Sequence, residues 1–219
     1  MASLLTVNTT QAPFHLGELR SGIDKRPSDV PLAVRAPGPR QSGLGSGIVG
    51  DSIGDRRHHG GDDQAVYAYA REDLDGWQSR TDRELTNGMF GENITTSGLD
   101  VTNSLIGERW SIGSDGLVLE VTSPRTPCKT FSAWLDIPGW IKTFTAAELP
   151  GAYLRVIEPG TLRAGDPIEV IDRPDHSVTV GTVFRALMLE PDLIPTLAAA
   201  DALPDKIKQQ VARRRGGSS

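Results

Sequence analysis

The stretch Trp110-Ser111-Ile112-Gly113-Ser114-Asp115-Gly116-Leu117-Val118-Leu119-Glu120-Val121-Thr122 decides how this chain is read. Two β-rich runs, 110–112 and 117–122, flank a Gly-Ser-Asp-Gly turn, which is a hairpin signal. Similar runs follow downstream. Residues 152–157 and 168–171 enclose the turn pairs Pro159-Gly160 and Gly165-Asp166, and 178–183 is a further β-rich run. Upstream, Gly88-Met89-Phe90-Gly91-Glu92-Asn93-Ile94-Thr95 reads as a tight turn entering a strand. Many short, closely spaced strands with few helices predict a mainly β fold with helices, either a β-barrel or a strongly bent sheet.

Helical signals flank this region. Residues 64–79 place Val66, Ala70, Leu74 and Trp77 near helical spacing, with Asp62 or Asp63 as the cap. The free N–H groups of such a helix would face the preceding loop and suit an anion, although two carboxylates at its start weigh against one. That loop, 26–63, carries prolines at 27, 31, 37 and 39 and repeated glycines, and only 31–35 reads as a strand. So long an irregular segment is a working loop or a disordered one. Toward the C-terminus, 187–202 and 204–215 read as two short helices broken at Leu203-Pro204. The expected organisation is a β domain over 1–183 and a short helical tail over 184–219.

Bulk properties narrow the function. Over 219 residues, 37% hydrophobic and 23% charged describe a soluble globular chain. A net charge of -5 argues against a general nucleic-acid binder, which needs a basic face to displace counterions. The basic run Arg213-Arg214-Arg215 reads as a solvated tail. No stretch approaches the roughly 20 apolar residues of a membrane span, and the first residues lack the basic and apolar regions of a secretory signal. A cytoplasmic setting is expected. A single cysteine excludes an internal disulfide.

That cysteine lies in Ser123-Pro124-Arg125-Thr126-Pro127-Cys128-Lys129, where two prolines stop the preceding strand. Cys128 is open to three readings: a buried small hydrophobe, a nucleophile, or a metal ligand. A thiolate beside cations is the form that attacks electrophiles or binds a heavy transition metal. His58-His59-Gly60-Gly61 is either a surface turn or a place where backbone and imidazole approach a ligand. Zinc is disfavoured, since one Cys and histidines at 15, 58, 59 and 176 lack close-spaced ligand pairs. Glu92-Asn93 is a turn or a polar-ligand contact. Arg155, mid-strand, either faces solvent or pairs with Glu92, Asp63 or a ligand phosphate. Tryptophans 77, 110, 134 and 140 are core or pocket wall. Walker, dinucleotide and nucleophile-elbow motifs are absent.

Taken in order, these segments resemble the MOSC domain family, named for the C-terminal domain of molybdenum cofactor sulfurases, and most closely its YiiM-type branch. The matching residues are Gly22-Ile23-Asp24-Lys25-Arg26-Pro27, Gly50-Asp51 and Asp55, then His59-Gly60-Gly61 with Asp63 and Ala65-Val66-Tyr67-Ala68-Tyr69. Next come Gly88-Met89-Phe90-Gly91-Glu92-Asn93 with Thr95, Ile106-Gly107, and Pro124-Arg125-Thr126-Pro127-Cys128. The set ends with Gly151-Ala152-Tyr153-Leu154-Arg155-Val156 and Gly165-Asp166. The resemblance implies a MOSC β-barrel with a shortened helical appendage and binding of the molybdenum cofactor, a pterin phosphate holding molybdenum through a dithiolene. It implies Cys128 as metal ligand and catalytic residue, His59, Asn93, Arg125 and Arg155 as cofactor contacts, and Asp63 and Glu92 as residues that orient them. Related members reduce N-hydroxylated compounds, including purine bases, with electrons from a separate flavoprotein. The alternative is a non-catalytic carrier of the cofactor, or of sulfur as a Cys128 persulfide. A homodimer is compatible with either.

Overall fold

The computed structural model describes residues 1–81 and 83–216, without the side chains of 215 and 216, so Arg215 of the basic run lies outside the described side chains. The elements in order begin with β1 (Ser3–Thr10), β2 (Phe14–Leu16), β3 (Leu19–Ser21), β4 (Lys25–Pro27) and β5 (Leu32–Val34). Then come β6 (Val66–Ala70), α1 (Arg71–Thr81), β7 (Ile94–Ser97), β8 (Arg109–Ile112), β9 (Leu117–Pro124), α2 (Lys129–Leu135) and α3 (Trp140–Ala147). The chain continues through β10 (Ala152–Glu158), β11 (Gly160–Leu162), β12 (Ile168–Asp172), α4 (Val180–Met188) and α5 (Asp205–Gly216). Short 3-10 turns occupy Asp62–Gln64 and Pro191–Ala199.

Eight strands form one mostly antiparallel sheet in the order β12-β8-β9-β10-β6-β7-β1-β4, and its one parallel pair is β6 with β7. A parallel pair needs a crossover, which α1 supplies. The expected hairpin is β8–β9, paired from Arg109↔Glu120 to Ile112↔Leu117. The expected closed barrel is not what the strand pairing gives, because β12 and β4 remain edges of an open sheet. The sheet nonetheless curls until the start of β1 meets the turn before β12. There the Leu4 N–H donates to Asp166 O (2.8 Å), Gly165 N–H to Leu4 O (2.7 Å), and Ile168 N–H to Ala2 O (3.0 Å). Pro167 faces Ser3 between two of these bonds, at a position where the pairing needs no N–H from it, so the proline is tolerated there.

Two apolar clusters hold the fold. One lies within the curved sheet, around Val66, Ile94, Trp110, Leu119, Val121 and Leu154, and also takes Val183, Ile194, Leu197, Leu203 and Val211 from the C-terminal segment. The other is aromatic: Tyr69, Trp77, Phe90, Phe131, Trp140 and Phe144 pack where α1, α2 and α3 cover the sheet. Their rings meet mainly edge to face, as Phe131–Trp140 does at 5.4 Å and 87°.

Between these clusters, β6 is buried at every position. This explains the first correction. Residues 64–79 are not one helix, since 66–70 is a strand buried on both faces and the helix begins only at Arg71. A continuous apolar run does not by itself separate buried strand from helix. Asp62 and Asp63 therefore do not cap a helix, and the anion site expected at its N-terminus does not exist. The second correction is 178–183. The β-branched run turns into α4, whose first turn is fixed when Thr179 Oγ1 accepts a hydrogen bond from the Thr182 N–H at 3.0 Å. Val180, Val183 and Phe184 are buried on its inner side, so tertiary packing overrides β propensity. Helices α2 and α3 were not expected from the sequence. The residue at 183–184, taken as a domain boundary, lies inside α4.

The Thr179→Ala protein should lose about 1 kcal/mol of stability, read as a lower midpoint in urea denaturation with an unchanged slope. An unchanged midpoint would mean that the cap does not hold α4.

Candidate functional site

The strand β9 ends at Pro124, and the next residues turn across one mouth of the sheet. Pro127 holds the turn open, and Cys128 becomes the extended residue that starts α2 (φ -136°, ψ 169°), accepting through its carbonyl from the Ser132 N–H at 3.1 Å. Its thiol is free and half-buried. Two cavities meet at this residue. The inner one, about 100 Å³, is lined by His59, Tyr67, Asn93, Arg125, Cys128 and Tyr153 among others. The outer one, about 610 Å³, shares Cys128, His59 and Tyr153 and opens toward α5.

Arg125 is the most unusual group in the site. Its residue is 6% exposed, and its guanidinium lies over the Phe131 ring (3.6 Å to the centroid) and near the Tyr67 ring (5.6 Å). Its Nη1 is buried without a hydrogen-bond partner, and no carboxylate pairs with it among the described residues. Ring faces attract a cation by about 0.5–2 kcal/mol, which does not offset the several kcal/mol of burying an unpaired charge. The charge is felt nearby. His59 has its pKa lowered from 6.5 to about 4, first by burial and then by Arg125. Burial raises the pKa of Tyr153, and Arg125 works against that rise. Around neutral pH the imidazole is neutral and the phenol keeps its proton.

The other expected residues divide. Asn93 reaches the inner cavity, but its amide is already committed: Oδ1 accepts from the Tyr67 N–H (3.1 Å) and Nδ2 donates to Asp51 Oδ2 (2.9 Å). Glu92 is fully buried away from the cavity. Its carboxylate accepts from the N–H groups of Gly88 (2.5 Å) and Phe90 (3.0 Å) and from Thr95 Oγ1 (2.9 Å). Burial raises its pKa while those donors pull it down. Its work is to hold the turn at Gly88, where φ is +88° and a Cβ would stand 2.5 Å from Lys25 O. Arg155 does not reach the inner cavity either. It bonds Asp63 (2.5 Å) and Glu120 (2.8 Å), which answers the question of its anionic partner and leaves Asp63 committed to it. The structure thus brings Cys128, His59, Arg125 and Asn93 together on the inner cavity, leaves Asp63 on the outer one in its pair with Arg155, and sets Glu92 behind the wall.

Sequence reasoning gave no site role to the buried pair Lys25–Asp51, which supports this wall at 2.5 Å with side chains 5% and 0% exposed. Asp51 accepts from Lys25, Asn93, Ser46 and the Thr10 N–H, tying the loop after β5 to β1, β4 and β7. Burial disfavours its charge, but Lys25 and the other donors outweigh that and lower its pKa. The only signal was the appearance of both residues in the family-like segments; their pairing across 26 positions has no periodicity to reveal it.

Two outcomes follow. Asp51→Ala should cost about 3–5 kcal/mol in urea denaturation, because it strands a buried ammonium; a loss under about 1 kcal/mol would contradict the pairing. For His59 the folded pKa lies below the unfolded value, so protonation favours the unfolded chain. Its contribution is intact above about pH 6.5 and is lost as pH falls toward about 4. In an NMR titration the His59 ring should titrate near pH 4, and in Arg125→Met it should move up. A ring titrating near 6.5 in both proteins would refute the coupling.

Comparisons with known proteins place the chain in a family. The family model described as "MOSC domain" matches residues 55–169, just over half of the chain. The chain is 29% identical to the Bacillus subtilis protein YflK over 163 residues, 74% of this chain and 69% of that protein. It is 28% identical to a Gibberella moniliformis protein called "Reductase", over 86% of this chain but only 32% of that protein, and 29% identical to Escherichia coli YiiM over 58% and 57%. The chain therefore spans about a third of the first of those two relatives and somewhat over half of the second. In structure it resembles YiiM from Geobacillus stearothermophilus, with a TM-score of 0.78 at 23% identity and 98% and 99% of the two chains covered. YiiM from Escherichia coli gives a TM-score of 0.72 at 22% identity, covering 99% and 94%. From its matched core, this chain belongs to the MOSC domain family.

Proposed function

We propose that this protein is a molybdenum-cofactor-dependent reductase of N-hydroxylated compounds, with Cys128 as the protein ligand to the metal. The single observation that carries the reading is the buried Arg125 guanidinium with an unpartnered Nη1, lining the same cavity as the free thiol. An unpaired buried cation suits an anionic group, and a lone thiolate suits a metal that brings its other ligands with it. The MOSC family is associated with the molybdenum cofactor, and the name of the Gibberella relative supports a reduction.

The residues fit that cofactor in part. Arg125 would hold its phosphate, Cys128 its metal, and His59 would offer a neutral donor to either phosphate or pterin. Asn93 would meet it as a shaped wall rather than through a free amide, and Arg155 and Asp63 would brace the loop behind it. When bound, the cofactor supplies a metal centre able to take electrons and accept an oxygen atom. In the overall reaction the N–O bond breaks, an electron pair and a proton pair are taken up, and the oxygen leaves as water. The electrons come from a separate donor, which the resemblance makes a flavoprotein. Tyr153, which keeps its proton and lines the cavity with Cys128, would donate a hydrogen bond to the departing oxygen. The wide outer cavity beside the thiol would give a substrate somewhere to sit.

The test uses protein purified from a host that makes the cofactor, with hydroxylaminopurine and a chemical electron donor. Cys128→Ala should bring reduction to background while keeping its pterin and its urea midpoint. Arg125→Met should lose most of the pterin. Full turnover by Cys128→Ala would overturn the assignment, and a stable Cys128 persulfide in an inactive wild type would favour the carrier.

A further inference from the structure

The outer cavity carries more positive charge than a protein of net charge -5 leads one to expect. Arg40, Arg57, Lys129 and Lys206 line it, against Asp55 and Asp63. Both acids are already matched. Asp55 pairs with Arg57 (3.2 Å) and His58 (3.0 Å), and Asp63 pairs with Arg155. Arg40, Lys129 and Lys206 have no carboxylate partner among the described residues. They come from three separate parts of the chain: the loop after β5, the first residue of α2, and the first turn of α5. Like charges gathered from separate segments repel, and a shared anion is what relieves that repulsion.

The rest of the cavity is not a general anion trap. Leu19, Leu187, Pro204 and Ile207 give it apolar walls, and Cys128 sits at its inner end. A ligand that fits is bipolar, with a flat or apolar body against those walls, its reactive end at Cys128 and an anionic group outward among the cations. The outer cavity, about 610 Å³, has room for this bulk.

We infer that the outer cavity is a phosphate subsite for the substrate, so that the protein prefers a phosphorylated N-hydroxylated nucleoside to the free nucleoside or base. Arg40 offers a planar fork and the two lysines act as point charges, a usual combination for a phosphomonoester. The C-terminal segment thereby takes part in selecting the substrate through Lys206. The inference rests on the reductase reading for the reacting group, but the phosphate subsite is measured by binding alone.

The experiment is calorimetric titration of the cofactor-loaded protein with AMP, adenosine and inorganic phosphate, in the wild type and in Arg40→Gln/Lys206→Glu. AMP should bind about tenfold tighter than adenosine to the wild type, with phosphate competing, and the advantage should vanish in Arg40→Gln/Lys206→Glu while its molybdenum and pterin content stays at the wild-type level. Equal binding of AMP and adenosine by the wild type would overturn the inference. So would an advantage that survives undiminished in Arg40→Gln/Lys206→Glu, since the phosphate would then be read by other groups. Loss of pterin from Arg40→Gln/Lys206→Glu would assign the cations to the cofactor instead. Failure of the reductase reading is seen separately, as no molybdenum and no reduction of hydroxylaminopurine.

Discussion

A buried guanidinium without a counter-ion is the constraint around which the site is organised. Arg125 is enclosed by the aromatic cluster, and ring faces compensate its charge only in part. The remaining cost is the kind that folded proteins retain at sites that receive an anion. The imidazole of His59 beside it gives up its proton far below its usual range, first through burial and then through this charge, and no carboxylate pairs with the guanidinium among the described residues. The acids that do lie nearby are each committed elsewhere, Asp63 to Arg155, Glu92 to backbone N–H groups, and Asp51 to Lys25.

The fold makes this arrangement possible by keeping two packing problems apart. The curved sheet is held by its own aliphatic core, which the C-terminal segment shares. The aromatic cluster under α1, α2 and α3 is a separate body, and β6, buried on both sides, joins the two. The segment from Pro124 to Cys128 leaves the sheet at that junction. Rigid elements on either side therefore fix a thiol and a guanidinium that lie on a short connection.

Much of this was legible in the sequence wherever local chemistry decides structure. The β8–β9 hairpin followed from a glycine-rich turn between alternating runs, and the prolines around Arg125 announced the end of β9. Where burial decides, the sequence misled. Residues 66–70 looked helical because an apolar run has the same appearance in a doubly covered strand, and 178–183 looked extended because β-branching says nothing about the Thr179 cap and the core that favour α4. The site divided along the same line. Cys128, His59, Arg125 and Asn93, which the family resemblance singled out, line one cavity. The engagement of Asn93, Glu92 and Arg155 with protein partners could not be read in one dimension, because hydrogen-bond partners such as Asp51 and Glu120 lie far away in the chain.

X-ray absorption at the molybdenum edge on cofactor-loaded protein tests the central claim most directly, because it counts the sulfur atoms bound to the metal. If Cys128 is the ligand, the wild type shows one more sulfur neighbour than Cys128→Ala. Identical sulfur shells in the two proteins would contradict the account, whatever their activities.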